Sequence, residues 1–265
     1  MTESAAKQIR RVILEQSKRA HVGHIGSALS VTDIIAALYD GVLRVSEPKD
    51  PERDRFVLAK GHAMLAVHAA LFLKGWLTQE ELNTYCGDGT MLGVHPEYGL
   101  RGVDFASGSL GQGLSMAAGA ALAARLQQSP RRAFALLSDA ECDEGSVWEA
   151  IMFAAHHQLS NLVAIVDLNG QQALGYTDQV LSLQPMAARW RAFGWDVHEV
   201  DGHNVDALQE TIADLDTAAG PPHVLIARTT FGKGVSYMEG KIKWHYWPMS
   251  DPEYRQAVQE IEAMP

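Results

Sequence analysis

Two stretches decide how this chain is read: LLSDAECDEG at residues 136–145 and VDLNGQQALG at residues 166–175. In each, an apolar run gives way to polar turn residues. The runs AFALL and LVAIV are continuously apolar rather than alternating, the pattern of strands buried on both faces. Between them, SVWEAIMFAAHHQLS has the length and composition of a helix. Strand, helix, strand in this order predicts neighbouring parallel strands with their carboxyl ends on one side. Asp139 and Asn169 then meet at those ends. A carboxylate and an amide oxygen are hard ligands of the kind Mg²⁺ or Ca²⁺ takes. Gly170 would let the backbone turn so that the Gln171 carbonyl also points inward. Asp and Asn at strand ends equally make Asx turns, and the pair by itself leaves both readings open.

Outward from these strands the pattern continues. Ile9, Val12, Ile13 and Gln16 repeat at helical spacing over residues 3–19. AHVGHIGSALSV interrupts that period, and the helix is expected to resume at Ser30 with Asp33 in its first turn. FVLA reads as a strand, KGH as a turn, residues 63–73 as an apolar helix closed by Gly75, and residues 78–85 as a short helix. Residues 86–108 are glycine-rich and aperiodic, and a loop of that length in a compact domain is usually functional. Residues 185–193 and 205–216 read as helices, GWDVHEV and PPHVLIAR as strands, and DPEYRQAVQEIEA as a closing helix. The stripe Trp148, Ile151, Met152 and Ala155 is expected to be core packing. The prediction is a single α/β domain over residues 1–265 with a tail from about residue 248. Its sheet is open and mostly parallel, with helices on both faces, and ligands bind at the carboxyl ends of its strands.

Composition narrows the function. The length, 265 residues, allows one full core but not two large domains. A net charge of −10 argues against broad nucleic-acid binding. Cys86 and Cys142 are too few for a disulfide framework or a thiolate zinc site, which suits a reducing compartment. No apolar run approaches ~20 residues, so no membrane span is expected. The N-terminus lacks a signal-peptide core, and a cytoplasmic location is expected. No GxxxxGK[ST] is present, so a P-loop is excluded. His68, His156, His157 and His198 fall in helices or a strand and are expected to be structural. His24, His62 and His95 stand in loops beside glycine or proline and are better candidates for function.

DAECDEG followed by DLNGQQALG resembles the thiamine diphosphate signature of transketolase-type enzymes. Its Asp-x-Asn-x-x-Gln-x-x-Gly element is met by Asp167, Asn169, Gln172 and Gly175. Further family elements are resembled in order by AHVGHIGSALSV, DRFVLAKGHAM, GVHPE, ASGSLGQGLSMAAGAALA, VDGHN and TTFGKGVSYMEGKIKWHY. The resemblance implies a diphosphate-binding domain fold and the N-terminal subunit of a split transketolase. Such an enzyme transfers a two-carbon ketol unit between sugar phosphates. It implies Asp139, Asn169 and the Gln171 carbonyl as ligands of Mg²⁺, which Ca²⁺ or Mn²⁺ could replace. It implies thiamine diphosphate held by His62, Gly108, Leu110, Gly111, Ser138, Asp139, Ala140, Glu141 and Asn169. The catalytic set it implies is His24, His95, Glu144 and His245, with Glu144 at a subunit interface. His21 is a less certain neighbour, and Lys233 and Lys243 are phosphate neighbours that no motif requires. The family's Gly-Asp-Gly has become Ser138-Asp139-Ala140, which adds a Cβ on each side of the metal ligand. The implied partner is a C-terminal subunit of about 300 residues carrying the pyrimidine-binding domain, in a heterotetramer. Two rival readings are a subunit of a 2-oxo acid-decarboxylating thiamine enzyme and a non-catalytic scaffold.

Overall fold

The computed structural model describes residues 3–264. In chain order the helices and strands are α1 (Ala5–Ala20), α2 (Ile25–Ser30), α3 (Thr32–Ala37), β1 (Arg55–Leu58), α4 (Met64–Leu73), α5 (Gln79–Leu82), α6 (Gly113–Leu126), β2 (Ala133–Ser138), α7 (Gly145–His156), β3 (Leu162–Leu168), β4 (Gln171–Gln172), β5 (Gly175–Tyr176), α8 (Thr177–Val180), α9 (Met186–Ala192), β6 (Asp196–Asp201), α10 (Val205–Ala213), β7 (His223–Arg228) and α11 (Asp251–Glu262).

Five strands form one sheet in the order β1-β2-β3-β7-β6, every pair parallel. Alternation along buried strands sends side chains to two cores. Leu136 and Ile165 join α1, α3 and α4 on one face, while Leu137 and Val166 join α6 and α7 on the other. Handedness explains which helix goes where. From β2 to β3 the chain steps one way across the sheet and α7 covers one face. From β6 back to β7 it steps the other way, so a right-handed crossover puts α10 on the opposite face. The crevice between these opposed crossovers opens at the carboxyl ends of β3 and β7.

The expected α/β architecture is present, with two local differences. Helix resumes at Ile25, not at Ser30. Gly26, within the stretch expected to interrupt the helix, lies inside α2, and a Cβ there would collide with the Phe231 ring. It is a packing glycine. The second difference is on α7. Ile151 is fully buried, but Met152 is half exposed and only part of Trp148 is covered, packing on Trp190 and Phe193. The helix presents part of the expected stripe to solvent. At the chain's end, α11 lies along α1, burying Ala257 and Ile261 in the same core as Ile9 and Ile13.

Candidate active site at the strand ends

β2 and β3 pair in register from Ala133↔Leu162 to Ser138↔Asp167. Asp139 and Asn169 therefore leave the sheet side by side. Asp139 is buried and accepts the N–H of Ala140 (2.9 Å) on Oδ1 and that of Gly170 (2.7 Å) on Oδ2. Burial, and then the charge of Asp167, push its carboxyl up to about 7. The two backbone N–H groups and the charge of Lys60 offset this only in part. Each Asp139 carboxylate oxygen has a lone pair beyond the backbone bond it accepts.

Asp167 fixes the neighbouring amide. Asn169 Nδ2 donates to Asp167 Oδ2 (2.9 Å), which leaves Oδ1 as the atom turned elsewhere; Oδ1 accepts the Gln171 N–H (2.9 Å). Asp167 also receives Ser30 Oγ (2.9 Å), Thr229 Oγ1 and the ammonium of Lys60, an ion pair with both side chains almost wholly buried. None of Lys60, Ser30 or Thr229 was marked by sequence reasoning. The available signal was Lys60 itself, directly after a buried strand and before Gly61-His62, since a lysine is almost never fully buried unless paired.

The histidines come from three separate segments. His24 starts α2 in the left-handed region (φ 61°), and its N–H donates to the His245 carbonyl (3.2 Å). His62 lies in the turn after β1. The rings of His24, His62 and His245 form a triangle with centroids 5.1–5.5 Å apart, and Phe231 lies parallel to His245 at 6.2 Å. Burial foremost lowers all three: His24 is lowered further by His95, His62 falls well below the usual range beside Lys60, and His245 drops to about 4 beside His24 and Lys60. These imidazoles are neutral at pH 7. Beneath them, His203 accepts the Thr230 N–H on Nε2 (2.7 Å), so its Nδ1 carries the proton that Asp33 receives (2.7 Å). Arg10 grips the same carboxylate with two bonds of 2.9 and 2.6 Å. That relay ties α1 and α3 to the loop bearing Phe231.

A cavity of about 320 Å³ opens between these groups. His24, His62, His95 and His245 line it, with Gly108, Leu110, Ser138, Ala140, Glu144, Asn169 and Gln171. Three expected residues stand outside the lining. Asp139 is just beneath it. Gly111 turns with φ +89°, where a Cβ would come 2.6 Å from Glu144 Cβ. Glu141 is fully buried, accepting the N–H of Gly111 (2.9 Å) and of Ser138 (3.3 Å), so its carboxylate braces the two loops from behind. His21 caps α1, and Lys233 and Lys243 pair with Glu239 and Glu253 away from the lining. Neither Ser138 nor Ala140 has a positive φ, so the extra Cβ atoms bring no backbone strain. Ser138 Oγ accepts the Glu141 N–H (3.0 Å) and closes the turn after β2.

The chemistry of the oxygens here fits a hard divalent cation: a raised buried carboxyl at Asp139, an oriented amide at Asn169, and, from two further residues of the cavity lining, Gln171 Oε1 and Asp143 Oδ1, both buried without a hydrogen-bond partner. Fold and site together define an α/β domain with a polar, histidine-lined cavity at the carboxyl ends of its strands. The chain matches the profile described as "Transketolase, thiamine diphosphate binding domain" over residues 1–264. It is 41% identical over 260 residues to the 6-deoxy-6-sulfo-D-fructose transketolase subunit SqwG of Clostridium sp. (strain MSTE9), covering 97% of this chain and 94% of that protein. It is 40% identical over 261 residues to an apulose-4-phosphate transketolase subunit from Phocaeicola vulgatus, covering 98% and 93%. The crystal structure of transketolase from Campylobacter jejuni superposes with a TM-score of 0.91 at 28% identity, over 99% of this chain but 43% of that one. The chain belongs to the transketolase family, as its N-terminal, thiamine diphosphate-binding domain. Its class of chemistry is transketolase-type two-carbon transfer. No helix among the described residues is long and apolar enough to cross a membrane.

Proposed function

We propose that this chain is the cofactor-binding subunit of a two-component, cytoplasmic transketolase acting on anionic sugars such as sugar phosphates. The observation that carries the reading is the triangle of neutral histidines beside the Asp139–Asn169 pair. Asp139, Asn169 and the Gln171 carbonyl would hold Mg²⁺, and His62, Ser138, Ala140, Glu141 and the Gly108–Gly111 turn would shape the diphosphate pocket. When bound, thiamine diphosphate supplies the carbanion stabilisation that ketol transfer requires. His24, His95 and His245 line the cavity and would meet the carbonyl end of the substrate. Nδ1 of His24 and Nδ1 of His245 are buried without a protein partner, so both atoms are available to hold or pass a proton to a carbonyl or hydroxyl oxygen. Glu144, which caps the start of α7 and lines the cavity, would meet a neighbouring subunit.

The two relatives named as subunits match this chain over nearly their whole length, which supports a separate C-terminal partner of about 300 residues with the pyrimidine-binding domain. Exposed apolar side chains, Leu110 on the cavity, Tyr246 beside His24 and His245, and Leu174 and Trp247 elsewhere on the surface, suit a covering subunit in a heterotetramer.

The deciding experiment is a calorimetric titration of the co-purified pair with thiamine diphosphate, in Mg²⁺ and then in chelator, beside a ketol-transfer assay. Binding and turnover are expected with Mg²⁺, neither with Asp139→Ala, and little turnover from this chain alone. Rapid pyruvate decarboxylation without use of any ketose phosphate would move the reading to a 2-oxo acid enzyme. No binding in either condition would leave a scaffold.

A further inference from the structure

A cluster of side chains of metal-ligand type lies at the opposite end of the sheet. β6 is the edge strand, and Asp196, its first residue, pairs with His223, the first residue of β7. His198 is two residues along β6, so it projects from the same face as Asp196. Strand register alone therefore gathers two imidazoles and a carboxylate. Asp196 Oδ2 lies 3.0 Å from His198 Nε2 and 3.1 Å from His223 Nδ1. One ligand atom from each residue falls within 4.8 Å of the others. The strands' length, at ~3.3 Å per residue, puts this cluster roughly 20 Å from the cavity at their carboxyl ends.

The hydrogen bonding of His223 marks a place for a positive charge. Its Nε2 lies 2.9 Å from the Asp216 carbonyl, which can only accept, so Nε2 carries the proton. In the neutral ring Nδ1 then presents a lone pair to a carboxylate oxygen that is also an acceptor. Two acceptors at 3.1 Å require a positive charge between them, a second proton or a metal ion. An imidazole whose far N–H is held by a backbone carbonyl is the usual arrangement of a metal-ligating histidine. Ligand bonds near 2.0–2.2 Å in a tetrahedral shell set neighbouring ligand atoms about 3.3 Å apart, close to both contacts seen here. His223 is almost wholly buried, whereas Asp196 (45% exposed) and His198 (33%) face solvent, which leaves an entry path and room for water ligands.

We propose that Asp196, His198 and His223 form a site for a divalent ion that accepts nitrogen and oxygen ligands, Zn²⁺ above all, distinct from the Mg²⁺ site implied at Asp139. The ligand chemistry separates the two, since imidazole suits Zn²⁺, Co²⁺ or Ni²⁺ and the all-oxygen set at Asp139 suits Mg²⁺. An ion here ties the edge strand β6 to β7. Through Asp216 it also ties in the segment that follows α10, so its role is structural or regulatory rather than catalytic.

The test is a Zn²⁺ competition titration against a chromophoric chelator, on the full chain in excess Mg²⁺, with Co²⁺ absorption as a reporter of coordination. The native chain should bind one equivalent that His198→Ala and Asp196→Asn each weaken by at least about tenfold, the scale of losing one ligand or its support. Zn²⁺ should raise the native Tm and leave that of both variants unmoved, while metal-free Tm and ketol transfer with the partner stay unchanged by His198→Ala. Equal affinity and stoichiometry in native chain and variants would overturn the site, because the ion would then sit elsewhere, as would the absence of any Zn²⁺ binding.

Discussion

Asp167 governs the site without lining it. Lys60, Ser30, Thr229 and Asn169 all turn donors toward this one buried carboxylate. The result is an amide at Asn169 held in one orientation and a negative charge that discourages ionisation of Asp139. Removing Lys60 alone would strand that charge in the interior. Lys60→Met is expected to destabilise the chain by about 3–5 kcal/mol in urea unfolding, the usual result of breaking one side of a buried pair. Adding Asp167→Asn should recover much of the loss, since a neutral amide needs no counter-ion. A loss below about 1 kcal/mol for Lys60→Met would show that the three neutral donors suffice. This pair was hidden in the sequence because its members are 107 residues apart and neither is chemically unusual alone.

Among the elements, α2 and the segment around Tyr246 are the ones whose fit creates the active-site triangle. Gly23 leaves no space for a side chain, because a Cβ there would collide with the Tyr246 carbonyl. One residue later the His24 N–H bonds to the His245 carbonyl, and the two rings come to 5.1 Å. The obstacle at Gly23 is backbone, so it cannot swing aside. Gly23→Ala is expected to cost roughly 1–3 kcal/mol of stability, the range for overpacking, and to weaken cofactor binding by spreading the histidines. Gly119 is the control: it lies inside α6 with nothing within 4 Å of a Cβ. Gly119→Ala should stabilise by about 0.5–1 kcal/mol and leave binding intact. Parallel denaturation and titration of the two variants check both halves, and a Gly23→Ala chain as stable as wild type would remove the clamp.

At the scale of the whole molecule, burying neutral histidines makes stability depend on pH. His68 on α4 is the clearest case: it is wholly buried beside Tyr85, and neither ring nitrogen has a partner. Burial takes its pKa down to about 3. The unfolded chain takes up this proton below its ordinary value near 6.5, while the folded chain resists until about pH 3. The stability associated with His68 is therefore complete above about pH 6.5 and is lost as pH falls toward 3, on the order of 4 kcal/mol across the window. His68→Phe keeps an aromatic ring against Tyr85 and removes both the proton site and the unsatisfied nitrogens. It should be more stable than wild type at pH 7, and the gap should widen toward pH 5. Equal unfolding curves at both pH values would refute this account.

The sequence by itself determined the strand and helix pattern, the placing of Asp139 and Asn169 at neighbouring strand ends, and the loop histidines His24, His62 and His95 that line the cavity, while His245 came only through the family resemblance. These were legible because periodicity and short motifs are local, and a parallel crossover fixes which strand ends share a side. The tertiary structure decided what depends on distant partners or on which face is covered. It set Lys60 against Asp167, turned Glu141 behind the cavity wall, left Met152 half exposed on a helix whose period suggested core, and made Gly26 a packing residue rather than a breaker. It also brought His198 to Asp196 and His223, a grouping set by the register of two strands. A lysine, a glycine or a histidine has the same local chemistry in either setting; only the neighbours supplied by the sheet topology choose between them.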